Sequence, residues 1–313
     1  MGEVKRIAVI GVGEIGHQIA QEFAMAGYNV NLNDVSEERL QDALKNIHRN
    51  MEILVDNEFI TRQQIEPTMN RLHTSTSMKE SVQDVDVTIE AVSENIGLKQ
   101  QIFKRLDQLC SERTILASNS STIMPSFMAS VTERPEKVLV AHYINPPYLL
   151  PVVELVRCKE TSDETVKVMY DLYQKMGKTP VIVEKEILGF IANRLQAAVF
   201  REATYLVEQG IASPSDVDKV IKDSIGRRWS TIGIFEWGDL IPGLGLLAAG
   251  LPYVFPYLHS STELPQLLLG KVEKGELGVK TMQGFYKWTN ESVEELRKML
   301  LNNLVEISKW SNL

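Results

Sequence analysis

The sequence predicts an α/β fold in which a doubly wound, mostly parallel sheet is followed by an all-α C-terminal domain. Two observations support this prediction. Short apolar runs of strand length alternate with amphipathic helical runs as far as Lys185, and β-type runs nearly disappear after that point. A glycine-rich turn joins the first apolar run to the first helical run. We therefore place the two domains at residues 1–187 and 188–313.

Eight short runs rich in apolar and β-branched residues make up the predicted sheet. In chain order they are VKRIAVIG, YNVNLND, the region around Leu72–Ser75, DVTIEAV, TILASNS, KVLVAHYI, PVVELVR and PVIVEKE. Helical periodicity covers EIGHQIAQEFAMAG and residues 36–57, 61–70 and 98–110. Strands that alternate with helices predict parallel pairing, with helices on both faces of the sheet.

The second domain is predicted to begin with a long amphipathic helix, GFIANRLQAAVFREATYLVEQG, and a second helix over SPSDVDKVIKDS. From Leu240 to Leu258 the chain has no charged residue, but three prolines and three glycines interrupt it. This pattern favours a buried helix-and-turn region or a subunit interface over a membrane span. We therefore expect a homodimer and no membrane partner.

Composition and charge exclude several classes of protein. The chain has 313 residues, a formal charge of −8 and a pI of about 5.3, so we expect no nucleic-acid partner. Cys110 and Cys158 fit neither a disulfide framework nor a Cys-rich zinc site, and the histidines lack ligand spacing, so no metal site is expected. This use of cysteine predicts a protein of the reducing cytoplasm. The N-terminal apolar run continues into the glycine turn and does not resemble a signal peptide.

Gly11-Val12-Gly13-Glu14-Ile15-Gly16 has the G-x-G-x-x-G spacing of a dinucleotide-binding turn. The motif alone is weak, but here it follows a strand, opens a helix and precedes an acidic residue, Asp34, at the end of the next strand. Gly11 permits the tight turn, Gly13 lets the backbone approach a pyrophosphate, and Gly16 allows close helix–strand packing. The first domain is therefore predicted to have a Rossmann-type fold.

Asp34 bears on the choice between nicotinamide cofactors. Its carboxylate can accept hydrogen bonds from the adenosine ribose hydroxyls and would repel a 2′-phosphate. Because Val35-Ser36-Glu37 offers no arginine for such a phosphate, NAD is the expected cofactor. FAD competes for the same kind of turn. Glu14 is discordant, since a carboxylate there must point away from the pyrophosphate.

Two acid–base groups, His142 and Glu154, lie in the otherwise apolar stretch VLVAHYINPPYLLPVVELV. If both strands of this stretch end at the same crevice, the carboxylate can accept the Nδ1–H of the imidazole. Nε2 is then free to take a proton from a substrate hydroxyl. The residues alone leave an alternative open, namely a satisfied core histidine and an unrelated buried glutamate.

Six blocks in order resemble the L-3-hydroxyacyl-CoA dehydrogenases and their relatives that act on free 3-hydroxy acids, such as L-gulonate 3-dehydrogenase (lambda-crystallin) and carnitine dehydrogenase. The blocks are GVGEIG, IEAVSENIGLKQQIF, ILASNSS, AHYINPPYLLPVVELV, GFIANRL and GVKTMQGFYKW. They span nearly the whole chain. The resemblance implies NAD-dependent oxidation of a 3-hydroxyl group to a 3-keto group.

The resemblance also implies a role for individual residues. His142 would be the general base, Glu154 its orienting carboxylate, Ser121 a hydrogen-bonding partner of the reacting oxygen, and Asn193 a group that holds the substrate carbonyl and the histidine. Besides the glycine turn and Asp34, the resemblance implies four cofactor residues. Glu94 and Lys99 would line the nicotinamide–ribose side, Asn145 would lie beside the nicotinamide, and Lys280 would reach the cofactor.

The alternative is that these residues have no functional role. Lys99 and Lys280 would then be solvated surface charges, and Ser121 and Asn193 an ordinary loop residue and an ordinary helix residue.

The resemblance does not point to a single form of the small-molecule substrate, because some features are shared with the acyl-CoA enzymes and others with the free-acid relatives. CoA-using members often carry a lysine-rich helix after the second strand, whereas here Lys45 and Arg49 are the only candidates on one face. NPPYLLPVVELV and GIASPSDVD resemble the free-acid relatives, and ILASNSS and GFYKW resemble the acyl-CoA enzymes. Arg227 and Arg228 could bind a substrate carboxylate or form ion pairs.

The broader family pattern favours an acyl-CoA. A free 3-hydroxy acid is the first alternative, and a non-enzymatic, NAD-binding structural role is the second.

Overall fold

The computed structural model describes residues 4–310, so the outermost residues of both predicted domains lie outside the description. The chain forms two compact units, of which the first ends at Arg194 and the second begins at Leu195. This division lies within the helix Ala192–Glu208, and the boundary predicted between residues 187 and 188 falls at the turn just before that helix.

One sheet of eight strands forms the centre of the first unit. The strands are β1 (Arg6–Ile10), β2 (Asn29–Asn33), β3 (Leu72–Ser75), β4 (Val87–Glu90), β5 (Ile115–Ser118), β6 (Val138–Tyr143), β7 (Val152–Val156) and β8 (Thr179–Val183). Their order is β3-β2-β1-β4-β5-β6-β7-β8, and all pairs are parallel except β6 with β7. The predicted mostly parallel sheet is confirmed. The strand order reverses between β1 and β4, and sheets of this kind bind ligands beside such a switch point, at the carboxyl ends of the strands.

The antiparallel pair corrects one expectation. β6 and β7 do not end at the same crevice, because β7 runs in the opposite direction to β6. The register instead pairs His142 directly with Glu154. Residues directly opposite each other in an antiparallel pair carry their side chains on the same face, within contact distance. The two groups therefore meet through strand register.

Helices cover both faces of the sheet. They are α1 (Gly16–Met25), α2 (Glu37–Asp56), α3 (Ile65–Met69), α4 (Met78–Ser81), α5 (Ile96–Leu109), α6 (Pro125–Ala129) and α7 (Asp163–Lys175). Alternate side chains of β1 enter separate cores, with Ile7 and Val9 on one face and Ala8 and Ile10 on the other. Burial on both faces explains why the strands read as continuous apolar runs. The sequence does not predict α4, α6 or α7.

The second unit is helical. α8 (Ala192–Glu208) begins three residues later than predicted, because Gly189 and Phe190 have positive φ angles of 78° and 47° and form a turn before it. The other helices are α9 (Pro214–Val220), α10 (Gly226–Trp229), α11 (Ile234–Leu240), α12 (Leu244–Gly250), α13 (Gln266–Glu273) and α14 (Asn290–Trp310). In the described chain after Val183, β-structure is limited to isolated bridges, which confirms the all-α C-terminal domain.

Among residues 4–310, no single helix combines the length and the apolar composition needed to cross a membrane. One bent pair, Ile234–Leu240 with Leu244–Tyr257, meets both criteria when its two parts, 101° apart, are taken together. This pair includes most of the charge-free segment noted in the sequence.

Candidate functional site

The turn after β1 has the close approaches that its glycines predict. A Cβ on Gly16 would lie 1.9 Å from the carbonyl oxygen of Gly11, and Gly11 itself has a φ of 92°. A Cβ on Gly13 would meet no neighbouring atom within 4 Å, so a ligand can approach the backbone there. Because α1 begins at Gly16, the unpaired N–H groups of its first turn lie beside this open surface.

Asp34 follows β2 and is buried, and its Oδ2 accepts a hydrogen bond from the Val12 N–H at 3.2 Å. Its Oδ1 lies 3.8 Å from a guanidinium nitrogen of Arg39. An arginine therefore does approach this carboxylate, although Val35-Ser36-Glu37 contains none, because the first turn of α2 brings Arg39 back toward β2. A carboxylate fixed against an open glycine turn fits the ribose and pyrophosphate of NAD.

His142 and Glu154 form a buried pair between β6 and β7. Nδ1 of His142 lies 2.7 Å from Oε2 of Glu154, and both side chains are almost inaccessible to solvent. Oε1 of Glu154 accepts hydrogen bonds from the backbone N–H groups of Ile191 and Ala192 at 2.8 and 2.9 Å. An ionised carboxylate can only accept, so Nδ1 carries the hydrogen and Nε2 is left with its lone pair. The alternative of two unrelated buried groups is therefore wrong.

The environment of this pair favours the ionised form of the Glu154 carboxyl group. Burial acts to raise the pKa of Glu154, but hydrogen bonds from His142, Ala192 and Ile191 outweigh it and hold the pKa below its ordinary value. The ring of Phe190 lies 5.5 Å from that of His142, centroid to centroid, at an angle of 62°. Because Phe190 is fully buried, the imidazole is held between an ionised carboxylate and an aromatic ring.

Ser121 lies in the loop after β5, and Glu94 determines the conformation of this loop. Oε1 of Glu94 accepts hydrogen bonds from Ser120 Oγ at 2.6 Å, Thr122 Oγ1 at 2.8 Å, Thr122 N at 2.9 Å and Ser121 N at 3.2 Å. Asn193, in the first turn of α8, donates from Nδ2 to the carbonyl oxygen of Ser121 at 3.0 Å. The structure thus brings two of the predicted substrate residues, Ser121 and Asn193, into contact.

Glu94 is partly exposed but strongly held. Burial acts to raise its pKa, whereas hydrogen bonds from Ser120 and Thr122 and the charge of Lys99 lower it, and the result is a pKa of about 2. Its second oxygen, Oε2, lies 3.4 Å from Nζ of Lys99. Glu94 is therefore ionised at neutral pH and committed to the Ser121 loop.

Lys99 is 1 % exposed, so the alternative of a solvated surface charge is wrong. Its Nζ donates to both oxygens of Glu90, at 2.7 and 3.0 Å. Glu90 ends β4, is fully buried, and also accepts hydrogen bonds from Ser118 Oγ and Val92 N, at 2.6 and 2.7 Å. Lys99 thus links a buried carboxylate in the sheet to Glu94, which shapes the Ser121 loop.

Glu14 turns its side chain away from the N–H groups of the glycine turn and toward the segment after β6. Its Oε1 accepts a hydrogen bond from Nδ2 of Asn145 at 3.1 Å. Nε2 of Gln18 donates to the backbone oxygen of Glu14 at 2.8 Å and lies 3.5 Å from Oδ1 of Asn145. A carboxylate therefore lies beside Asn145, the residue that the family resemblance places next to the nicotinamide.

Three predicted site residues belong to the second unit, and their surroundings are described within it. Lys280 is exposed, in the 3₁₀ helix Val279–Thr281. Arg227 forms an ion pair with Asp223 at 3.0 Å, and the guanidinium of Arg228 lies 5.2 Å from the ring centroid of Trp237. Both arginines are exposed, and each has a partner in its own unit.

Two features of the site were missed in the sequence. One is Glu90, although a lone carboxylate in the apolar run VTIEAV is the same signal that drew attention to Glu154. The other is the pair of backbone donors at Ile191 and Ala192. Every residue except proline supplies a backbone N–H, so this feature leaves no trace in the residue types.

Comparison with protein families gives two matches that together cover most of the chain. The NAD binding domain of 3-hydroxyacyl-CoA dehydrogenase matches residues 6–187, and the C-terminal domain of 3-hydroxyacyl-CoA dehydrogenase matches residues 189–288.

Several curated proteins are similar over most of their length. A probable 3-hydroxybutyryl-CoA dehydrogenase from Bacillus subtilis is 34 % identical, over 93 % of this chain and 99 % of its own. L-carnitine dehydrogenase from Oceanobacillus iheyensis is also 34 % identical, over 97 % of both chains. Lambda-crystallin from Oryctolagus cuniculus is 39 % identical, over 74 % of this chain and 72 % of its own.

Two solved structures are similar to this chain over most of its length. The 5-formyl-3-hydroxy-2-methylpyridine 4-carboxylic acid 5-dehydrogenase superposes with a TM-score of 0.91 at 27 % identity, over 97 % of both chains. The (S)-3-hydroxybutyryl-CoA dehydrogenase from Ralstonia eutropha superposes with a TM-score of 0.77 at 31 % identity, over 92 % of this chain and 100 % of its own.

Proposed function

Because the chain belongs to the 3-hydroxyacyl-CoA dehydrogenase family, whose members are NAD-dependent oxidoreductases, we propose that it oxidises the 3-hydroxyl of a 3-hydroxyacyl compound to a 3-keto group. The observation that supports this most is the buried His142–Glu154 pair at the carboxyl end of β6. Hydride can leave a hydroxyl-bearing carbon only as the hydroxyl proton departs, so the reaction needs a base beside the substrate oxygen.

His142 is the proposed general base. Glu154 accepts the Nδ1–H, so the lone pair of Nε2 takes the proton of the 3-hydroxyl. The ionised carboxylate then stabilises the imidazolium that forms. When bound, NAD+ supplies the acceptor for the hydride that leaves C3. In the reverse direction His142 returns the proton to the carbonyl oxygen.

Ser121 and Asn193 are the proposed substrate residues. Ser121 would hydrogen-bond the reacting oxygen through Oγ, and Asn193 would hold the substrate carbonyl and the histidine. The hydrogen bond from Asn193 to the Ser121 backbone supports a shared task, because it fixes the two groups relative to each other. The proposed cofactor residues are Gly11, Val12, Gly13, Glu14, Ile15, Gly16, Asp34, Glu94, Lys99, Asn145 and Lys280.

Different observations favour two forms of the substrate. An acyl-CoA is favoured by the family description and by the Bacillus subtilis relative. A free acid is favoured by the carnitine enzyme, which matches 97 % of this chain against 93 % for the Bacillus subtilis relative, and by the higher TM-score of the pyridine-carboxylate enzyme. The free acid is also favoured by α2, where Lys45 is paired with Asp42 at 2.9 Å and only Arg49 remains as a candidate for CoA phosphates.

A direct assay distinguishes these forms. Oxidation of NADH with acetoacetyl-CoA would be measured beside reduction of NAD+ with L-carnitine, L-gulonate and L-3-hydroxybutyrate. Activity with the thioester alone would establish the acyl-CoA form, and activity with a free acid alone would establish the other. Tight NAD binding without turnover of any of the four would contradict the proposed function and favour a structural role.

The variant His142→Gln tests the role of the base. It should lower turnover by roughly 10²- to 10⁴-fold, because it removes the proton acceptor, while the affinity for NAD stays within about twofold. Turnover close to that of the unaltered protein would refute the assignment.

We also propose that the second unit mediates formation of a homodimer. Large apolar side chains remain exposed along the segment noted in the sequence, with Tyr253 and Tyr257 each 81 % and Leu240 74 % accessible. A groove of about 1050 Å³ lies in the same unit, and its apolar lining includes Phe200, Val217, Ile221, Trp229 and Trp288. A patch of this extent on a soluble protein marks an interaction surface, and a second copy supplies apolar surface of the same kind.

A further inference from the structure

Glu14 is unusual because it places a negative charge in a turn that binds a negatively charged pyrophosphate. Its carboxylate is exposed, and Oε1 is held by Nδ2 of Asn145 at 3.1 Å. In the described part of the chain, neither lysine nor arginine forms an ion pair with Glu14. The charge is therefore fixed in position but not neutralised.

The position of Glu14 relative to the strands shows which half of the cofactor it faces. Asp34, at the end of β2, marks the adenosine side of the crevice, and His142, near the end of β6, marks the reacting side. The glycine turn after β1 lies between them in the sheet order. Because Glu14 reaches from this turn to Asn145, just after β6, its carboxylate lies on the reacting side, where the nicotinamide belongs.

The two forms of the cofactor differ there by one charge. The nicotinamide ring of NAD+ is a cation, and it becomes neutral when it accepts a hydride. A fixed carboxylate nearby attracts the first form and is indifferent to the second. We propose that Glu14 sets the preference of the site between the oxidised and the reduced cofactor, in favour of NAD+.

The size of the effect follows from Coulomb's law. Unit charges roughly 6–8 Å apart in a water-exposed crevice interact strongly enough to change an affinity about three- to sixfold. Such a bias favours entry of NAD+ and release of NADH, and so supports the alcohol-oxidising direction. This inference rests on the proposed function in one respect, namely that the nicotinamide binds on the side of the crevice where His142 lies.

The test compares dissociation constants by calorimetry for three probes: NAD+, NADH and ADP-ribose. In Glu14→Gln the amide oxygen can still accept from Asn145, so only the charge is removed. We expect NAD+ to bind about three- to sixfold more weakly, with NADH and ADP-ribose unchanged within about twofold. The loss for NAD+ should shrink as salt is added.

Glu37→Gln is the matched control. Glu37 is an exposed carboxylate in the first turn of α2, on the adenosine side, and accepts a hydrogen bond from Gln41. Its removal should leave the ratio of NAD+ to NADH affinity unchanged. Equal weakening of NAD+ and NADH in Glu14→Gln would overturn the proposal, as would tighter binding of ADP-ribose or no change with any probe. None of these measurements needs a substrate, so an absence of turnover would count against the proposed function alone.

Discussion

The first unit buries charged groups together with their partners, whereas the second unit leaves large apolar side chains in contact with solvent. In the first unit, His142 with Glu154 and Lys99 with Glu90 are nearly inaccessible pairs at 2.7 Å. In the helical unit, Phe235 is 87 % exposed.

This difference fits a division between the proposed catalysis in the first unit and the proposed self-association of the second unit. Buried charges are stable only when each has a partner, and in the first unit those partners belong to the same unit. Exposed apolar surface of the kind seen in the second unit is stabilised by burial against another surface. We therefore expect substitutions in the sheet to change catalysis or folding, and substitutions in the helical unit to change association.

The largest effect is expected from Glu154→Gln. The neutral amide cannot stabilise an imidazolium. Its NH₂ group can also donate a hydrogen bond to Nδ1 of His142, which favours the tautomer with the hydrogen on Nε2. Turnover should therefore fall roughly 10²- to 10⁴-fold. NAD affinity, measured by calorimetry, should hardly change. Leu155→Met, on the opposite face of the same strand, is the control for packing. A fall of less than tenfold would mean that His142 does not depend on this carboxylate.

The next largest effect is expected on stability. Lys99→Met leaves the fully buried Glu90 without its cation, and breaking a buried pair in this way costs about 3–5 kcal/mol. Urea unfolding followed by circular dichroism measures the loss. The double variant Glu90→Gln/Lys99→Met removes both charges and should recover much of the stability. If the single variant loses under about 1 kcal/mol, this pair is not a determinant of the fold.

Much of the first unit could be predicted because its signals are local. Strand runs, the glycine turn and Asp34 each depend on neighbouring residues, and all eight strand-like runs form strands. The direction of β7 could not be predicted in this way, because the run PVVELVR reads the same in a parallel or an antiparallel pair. The expected contact between His142 and Glu154 is present, but it arises from the register of an antiparallel pair and not from two strands that end at one crevice.

The rest of the site depends on contacts between distant residues. Lysine is a residue type usually found at the protein surface, and only the fold shows that Lys99 points inward to Glu90. The residues next to Asp34 do not predict its arginine neighbour either, because Arg39 approaches the carboxylate through a helical turn.

A smaller effect is expected from charges placed on the apolar surface of the second unit. Leu246→Asp combined with Tyr253→Asp should raise the dissociation constant of the proposed dimer at least about 100-fold, because each carboxylate would lose its hydration on association. Sedimentation velocity over a range of protein concentrations measures the change. Val35→Asp alters a side chain that is 92 % exposed in the first unit and should leave the association state unchanged. Identical behaviour of both variants would argue against an interface at this segment.

The smallest effect is expected from Glu94→Gln, and its dependence on pH identifies the cause. The pKa of Glu94 falls from an ordinary 4.5 to about 2 on folding, so its ionised form stabilises the folded chain above pH 4.5, and this contribution disappears as the pH falls toward 2. With 38 % of the side chain exposed, solvent screening reduces the contribution to roughly 1 kcal/mol. The difference in unfolding free energy between the unaltered protein and Glu94→Gln should be constant from neutral pH to about pH 5 and narrow below 4.5. A difference that does not vary with pH would mean that Glu94 holds the Ser121 loop by shape alone, since a carboxylate that acts through its charge must lose its effect when it is protonated.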